Sequence, residues 1–303
     1  MSFLTSRESH APRGIGKSMP RREDARLLTG AGQYANDFSL PGQAYAYLVR
    51  SPHPHAKIAK IDVALAIGGP GVVAVLTGSD AVGDGVKPIP HSPVPTNPHE
   101  VPLRNRDGSG FFIAPHPVLA LDAVRYVGEP VAIVVAQTLA EAMDAAESVE
   151  VVYETLPAVA RSRDALSPGA PLVWQQHSSN VSVDSEAGDK EATEAAFAKA
   201  AHIVRLATTI NRVTGVPMEL RAAIGVYDEP AAHFTVYTSA GGGVIRQRDD
   251  IAGALGVAKE ALRVVSGDVG GNFGIRNNTC PEFVLVVPRS IASRRRRCHD
   301  RSL

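Results

Sequence analysis

The sequence predicts an α+β protein, and three observations predict it. Strand-like stretches cluster between residues 44 and 76 and again at 119–136, with one long loop between them. A capped helix follows at 138–149 and is succeeded by another strand. A second set of strands then surrounds a glycine run that opens a helix. With 303 residues the chain has room for about two domains at roughly 150 residues each. In chain order, Ala44–Arg50, Lys57–Val63 and Gly71–Leu76 read as strands, the second by alternation and the third as a short apolar run. Between Pro88 and Pro117 stand eight of the 22 prolines, and so many missing N–H donors predict an excursion loop. Leu119–Val127 and Pro130–Ala136 read as paired strands around Gly128-Glu129-Pro130. Thr138-x-x-Glu141 is a capping box, and Leu139, Ala142, Met143, Ala146 and Val149 recur on one helical face. Val149–Tyr153 returns as a strand, closing a unit over 18–160 behind a loose N-terminus, 1–17. Residues 161–192, rich in Ser, Pro, Gly and Asp, read as a connection. Beyond it come a helix near Lys190–Ala200, strands near Ile203–Ile210, Ala222–Tyr227 and His233–Thr238, a helix reaching Leu255 and a strand at Leu262–Ser266.

Charge excludes some function classes. Lys+Arg and Asp+Glu are equal at 31, so no net field steers the chain toward nucleic acid or an anionic surface. The balance conceals a tail: residues 288–303 carry +5, including Arg294–Arg297, and leave −5 on the rest. That run lacks aromatics, and a nucleic-acid partner is not predicted from it. No apolar window approaches the 18 residues of a membrane span. Arg21-Arg22 is followed by Glu23-Asp24 and no hydrophobic segment, which argues against a twin-arginine signal. Cys280 and Cys298 are too few for a disulfide framework or a four-thiolate cluster, so a reducing, cytoplasmic setting is the expectation.

Two glycine clusters are candidate binding elements. Gly241, Gly242 and Gly243 lie between a strand and a helix, where the unpaired N–H groups of the helix start face whatever occupies the strand end. Gly270, Gly271, Asn272, Phe273 and Gly274 form a permissive run that can build a nest of N–H donors beside one aromatic ring. Neither fits a phosphate-loop or dinucleotide fingerprint, and a plain turn is the competing reading of both. Gly30-Ala31-Gly32-Gln33-Tyr34-Ala35 fits a relaxed dinucleotide pattern but lacks a preceding strand. His53 and His55 have no third ligand nearby, so a surface loop is preferred to a metal pair. Cys280 has no local base and reads as a structural thiol. Glu219 suits an acid or base, or equally an ion pair with Arg221.

Several longer stretches are more specific. Gly16-Lys17-Ser18-Met19-Pro20-Arg21-Arg22-Glu23-Asp24, Tyr34-Ala35-Asn36-Asp37, Arg50-Ser51-Pro52-His53-Pro54-His55-Ala56, Tyr126-Val127-Gly128-Glu129-Pro130, Thr214-Gly215-Val216-Pro217-Met218-Glu219 and Asp268-Val269-Gly270-Gly271-Asn272-Phe273-Gly274 occur in order from about residue 16 to 286. On these motifs the chain resembles the large, molybdopterin-binding subunit of the xanthine dehydrogenase family, which includes aldehyde oxidoreductases and the aerobic carbon monoxide dehydrogenase large chain. The resemblance implies an a/b hammerhead domain over 18–160 and, over 193–287, an incomplete first portion of a molybdopterin-binding domain. It implies a molybdenum–molybdopterin cofactor and oxidation of an aldehyde, an N-heterocycle or carbon monoxide with water as the oxygen source. It also implies two partners, an FAD-binding medium subunit and a 2Fe–2S small subunit. Gly270, Gly271, Asn272, Phe273 and Gly274, with Gly241 and Gly242, inherit cofactor-binding roles. No catalytic or metal-ligating residue is assigned, because the family's glutamate base belongs to a part of the subunit that this sequence does not contain.

Departures from the family pattern shape the expectation. Ala240 stands where many relatives carry a glutamine that donates to a molybdenum ligand, Leu220 where proline is usual, and Cys280 where an aromatic is common. After Pro281–Val286 an apolar helix is expected to begin, but Pro288 and the arginine-rich text of 288–303 intervene, which reads as a shifted reading frame. Three readings result: a truncated molybdenum hydroxylase large subunit, inactive alone and not retaining its cofactor; a non-catalytic assembly fragment that binds partner subunits; or a non-functional remnant.

Overall fold

A computed structural model describes residues 16, 18–92, 99, 103–211 and 213–287. The expectations for 288–303, for Cys298, for nearly all of 1–17 and for parts of the proline-rich loop lie outside the described residues. The elements run α1 (Asp24–Leu28), β1 (Tyr45–Arg50), β2 (Ala56–Asp62), α2 (Ala64–Ile67), β3 (Val72–Thr77), α3 (Gly78–Gly83), β4 (Ala123–Val124), β5 (Pro130–Ala136), α4 (Leu139–Glu147), β6 (Glu150–Thr155), α5 (Lys190–Lys199), β7 (Ala223–Asp228), β8 (His233–Thr238), α6 (Val244–Leu255), β9 (Leu262–Val265) and α7 (Pro281–Leu285). The α+β class is as the sequence predicts.

The strands make three sheets of three, in the orders β1-β5-β3, β4-β2-β6 and β7-β8-β9. β5 is buried along its whole length because it is central and covered on both faces. Ile133 and Val135 point into one core cluster, while Ala132 and Val134 point into a second beneath α4. That two-sided burial is why its sequence is a continuous apolar run. Its proline stands first, where a missing N–H costs least. β8 and β9 are parallel, with Phe234 opposite Leu262, and α6 is the crossover that a parallel pair requires. The first cluster is shared by both halves of the chain: Leu76, Leu119 and Ile133 pack in it with Phe234, Ile251 and Phe283. A backbone bond from Lys87 N to the Ala254 carbonyl, 2.7 Å, ties α6 to the loop after α3.

Four expectations need correction. Leu119–Val127 does not pair with β5, whose two edges are already taken by β1 and β3; only Ala123–Val124 forms a strand, and it pairs with β2. Gly128, at φ +91°, instead turns the chain so that its N–H bonds to the Ser51 carbonyl. Ile203–Ile210 joins no sheet and is exposed throughout. On α4, Ala142, Ala145 and Ala146 are the buried face, whereas Leu139 and Met143 are nearly half exposed; the small residues allow the closer approach to the sheet. Residues 161–192 fold back along the excursion loop. Arg106 pairs with Asp184, Ser182 Oγ donates to the Phe112 carbonyl, and the Phe112 and His177 rings stack 4.0 Å apart.

Candidate functional site

The two glycine clusters meet. β8 delivers Ser239 and Gly241 to one edge of its sheet, and the segment after β9 brings Gly270–Gly274 against them. Asn272 Nδ2 donates to the Gly241 carbonyl at 3.1 Å and to Asn277 Oδ1 at 2.7 Å, while Asn272 Oδ1 accepts from Arg276 N. A Cβ on Gly241 would lie 2.7 Å from Asn272 Cγ, and one on Gly242 would lie 2.5 Å from the Asn277 carbonyl oxygen, so neither position has room for a side chain. Gly271 (φ +112°), Phe273 (φ +48°) and Gly274 (φ +85°) give the second loop its left-handed turns. Phe273 holds that conformation as a non-glycine, a strain of about 1–3 kcal/mol that its surroundings must offset. Its ring is 76% exposed and covers Gly271 rather than closing a pocket.

Beneath the loop lies a buried ion pair that sequence reasoning missed. Glu219 pairs with Arg276, not with Arg221. Arg276 Nη1 donates to Glu219 Oε2 and to Ser239 Oγ, and Nη2 donates to the Glu219 carbonyl. The same carboxylate accepts from Gly270 N at 2.7 Å and from Ala35 N at 3.1 Å. One pair therefore joins the N-terminal segment, the end of β8 and the glycine loop. Nothing local in the sequence marks Arg276 as the partner. Arg221 turns instead to Glu282 and Cys280. Burial pushes the Cys280 thiol above its ordinary range, consistent with a structural role. Behind the loop, Asp268 accepts two 2.6 Å bonds from the Arg26 guanidinium and one from Gln33 N; with Arg26 the main cause, its carboxyl is held at about 2.

A concavity of about 590 Å³ opens at the start of α6, lined by Gly242, Gly243, Val244, Ile245, Arg246, Asp249 and Asp250. The first N–H groups of α6 have no intrahelical acceptor and suit an anion. Asp249 is neutralised by Arg248 and Lys259, and burial pushes the Asp250 carboxyl upward. Gly241 and Gly270–Gly274 do not line this concavity, although Asn272 and Asn277 pack against Gly241 and Gly242 at its edge. The N–H groups of Gly271, Asn272, Phe273 and Gly274 donate to no other described residue. The donor set thus fits an oxygen-rich anionic group. Among the described residues no three His, Cys, Asp or Glu side chains gather as metal ligands. His55 is buried with Nδ1 against the Pro157 carbonyl, 2.9 Å, rather than in the expected surface loop, and His53 packs edge-on against Tyr153.

Comparison with known proteins agrees with this architecture. Residues 29–157 match the aldehyde oxidase and xanthine dehydrogenase a/b hammerhead domain, and residues 173–298 match the molybdopterin cofactor-binding domain. The gamma subunit of the 6-hydroxypseudooxynicotine dehydrogenase complex of Paenarthrobacter nicotinovorans is 35% identical over 90% of this chain and 32% of its own. The carbon monoxide dehydrogenase large chain of Hydrogenophaga pseudoflava is 32% identical over 89% of this chain and 33% of its own. Among solved structures, quinoline 2-oxidoreductase from Pseudomonas putida 86 superposes with a TM-score of 0.78 at 36% identity, covering 93% of this chain and 34% of that one. The class so defined is a hammerhead domain followed by part of a molybdopterin cofactor-binding domain. The chain belongs to the xanthine dehydrogenase family of molybdopterin-binding large subunits, and it spans about a third of the length of the relatives it matches.

Proposed function

We propose that this chain supplies the hammerhead and the first wall of the cofactor cradle of a molybdenum hydroxylase large subunit, an oxidoreductase acting on an aldehyde, an N-heterocycle or carbon monoxide. When bound, the molybdenum–pterin group supplies the redox chemistry and the activation of water. The protein's part is placement. The free N–H groups of Gly271–Gly274 and of the α6 start would hold anionic oxygens of that group; Arg246 at the rim is already paired with Asp250 and Asn278. Glu219 and Arg276 fix the loop from below, so the donors are set before the group arrives. The observation that carries the reading is the contact between the two glycine loops, in which the N–H groups of Gly271–Gly274 have no acceptor among the described residues. An FAD-binding medium subunit and a 2Fe–2S small subunit are the partners proposed to take the electrons onward.

The test is titration of the chain with released molybdopterin, following backbone amide signals. Concerted shifts at Val244–Arg246 and Gly271–Gly274 are expected. Shifts at neither segment, with the chain folded, would overturn the proposal.

A further inference from the structure

Residues 26–38 belong to neither glycine cluster, yet they run along the base of the Gly270–Gly274 loop. α1 buries none of its residues. It is tied to the second half of the chain by Arg26, whose guanidinium donates to both carboxylate oxygens of Asp268. Such a forked bond fixes orientation as well as distance. Beyond α1 the chain returns to the same point: Gln33 N donates to Asp268 Oδ2 at 2.8 Å, and Asp268 N donates to the Gln33 carbonyl at 2.7 Å. A Cβ on Gly267 would strike that carbonyl, so only glycine lets the two backbones approach there. Two residues on, Ala35 is buried, and its N–H shares the Glu219 carboxylate with Gly270 N. Phe38 then packs on Tyr237 of β8, with ring centroids 5.2 Å apart.

These contacts do two things for the loop. They fix Asp268 and Gly270, the residues that lead into the free N–H groups of Gly271–Gly274. They also neutralise the Asp268 carboxylate, whose bare charge two positions before Gly270 would repel an anion approaching those donors. We infer that residues 26–35 form a strap that sets the glycine loop, and that Arg26 is its positioning residue, acting through Asp268 rather than on any ligand. The inference rests on the function proposed above for the loop's N–H groups. Arg276, whose N–H donates to Asn272 Oδ1, holds the loop from its other end. The strap and the buried ion pair therefore grip one loop from two sides, which is how donors are kept in place before a ligand arrives.

The full chain is compared with its Arg26→Gln and Arg26→Lys variants by amide hydrogen exchange in the absence of pterin. Exchange at Gly270 is expected to rise at least about tenfold in Arg26→Gln, while Val236, on the central strand β8, keeps its protection. Arg26→Lys retains the charge but not the fork, and a smaller rise is expected; it decides the matter should Arg26→Gln not fold. Arg106→Gln, which breaks an exposed pair with Asp184, is expected to change neither amide. Unchanged exchange at Gly270, or a rise matched at Val236, would overturn the inference. Titration with released molybdopterin follows, in which Arg26→Gln is expected to bind at least about fivefold more weakly than the unmodified chain. Equal affinity of the two would remove the positioning role. Absence of binding by the unmodified chain would count against the proposed function, while faster exchange at Gly270 alone would leave the strap standing.

Discussion

Glu219 and Arg276 are the most deeply buried opposite charges among the described residues, with side chains 7% and 1% exposed. Removing one partner leaves the other desolvated without compensation. Arg276→Met is therefore expected to destabilise the chain by about 3–5 kcal/mol, measured by urea unfolding, and Glu219→Leu in the same background should recover part of that loss. Asp268 makes a different prediction because its latch to Arg26 is exposed and titrates. Its folded-state carboxyl sits at about 2, below the ordinary value of 3.8, so its contribution is present above about pH 4 and is lost as pH falls toward 2. A thermal-midpoint series from pH 7 to 2 should show that slope, and Asp268→Asn should remove it. The sequence offered Glu219 as a charged candidate but suggested the neighbour Arg221. The true partner is 57 positions away, a distance no local pattern reports.

Strands and helices were legible where a period or a cap extends over several residues. β5 reads from Val131–Ala136 because a centre strand buried on both faces needs apolar side chains at every position. α4 reads from Thr138, whose Oγ1 accepts from Glu141 N while the Glu141 carboxylate accepts from Thr138 N. α1, α2 and α3, of four to six residues, were not legible, since so short a helix carries too few positions for a period and depends on its packing. The contact between β7 and α7 was equally hidden. A Cβ on Gly225 would strike the Val286 carbonyl, a backbone group that cannot swing away. Gly225→Ala should therefore cost about 1–3 kcal/mol in chemical denaturation, although alanine in most exposed strand positions is nearly neutral.

At the scale of the molecule, the two halves are not independent bodies, because Ile133 of the hammerhead and Phe283 of the cofactor-binding portion share one core. The proposed cradle, by contrast, has only one wall among the described residues, and the concavity at the α6 start is open. A cofactor held from one side loses the enclosure that ordinarily buries most of a ligand. The purified chain is accordingly expected to carry far less than one molybdenum per chain, by metal analysis and pterin fluorescence. Stoichiometric molybdenum would show that one wall is sufficient.

The amino-acid sequence by itself determined the α+β class, the central strand, the capped helix and the family, since each is written in side-chain periods, caps or unbroken motifs that neighbouring residues carry together. It also singled out the two glycine clusters. Only the tertiary structure decided that these clusters touch, that Arg276 rather than Arg221 neutralises Glu219, and that 119–127 does not pair with β5 but gives only Ala123–Val124 to β2. The physical reason is the same in each case. Ion pairs, close backbone approaches and free sheet edges depend on which distant segments the core brings together, and separation along the chain carries no record of that.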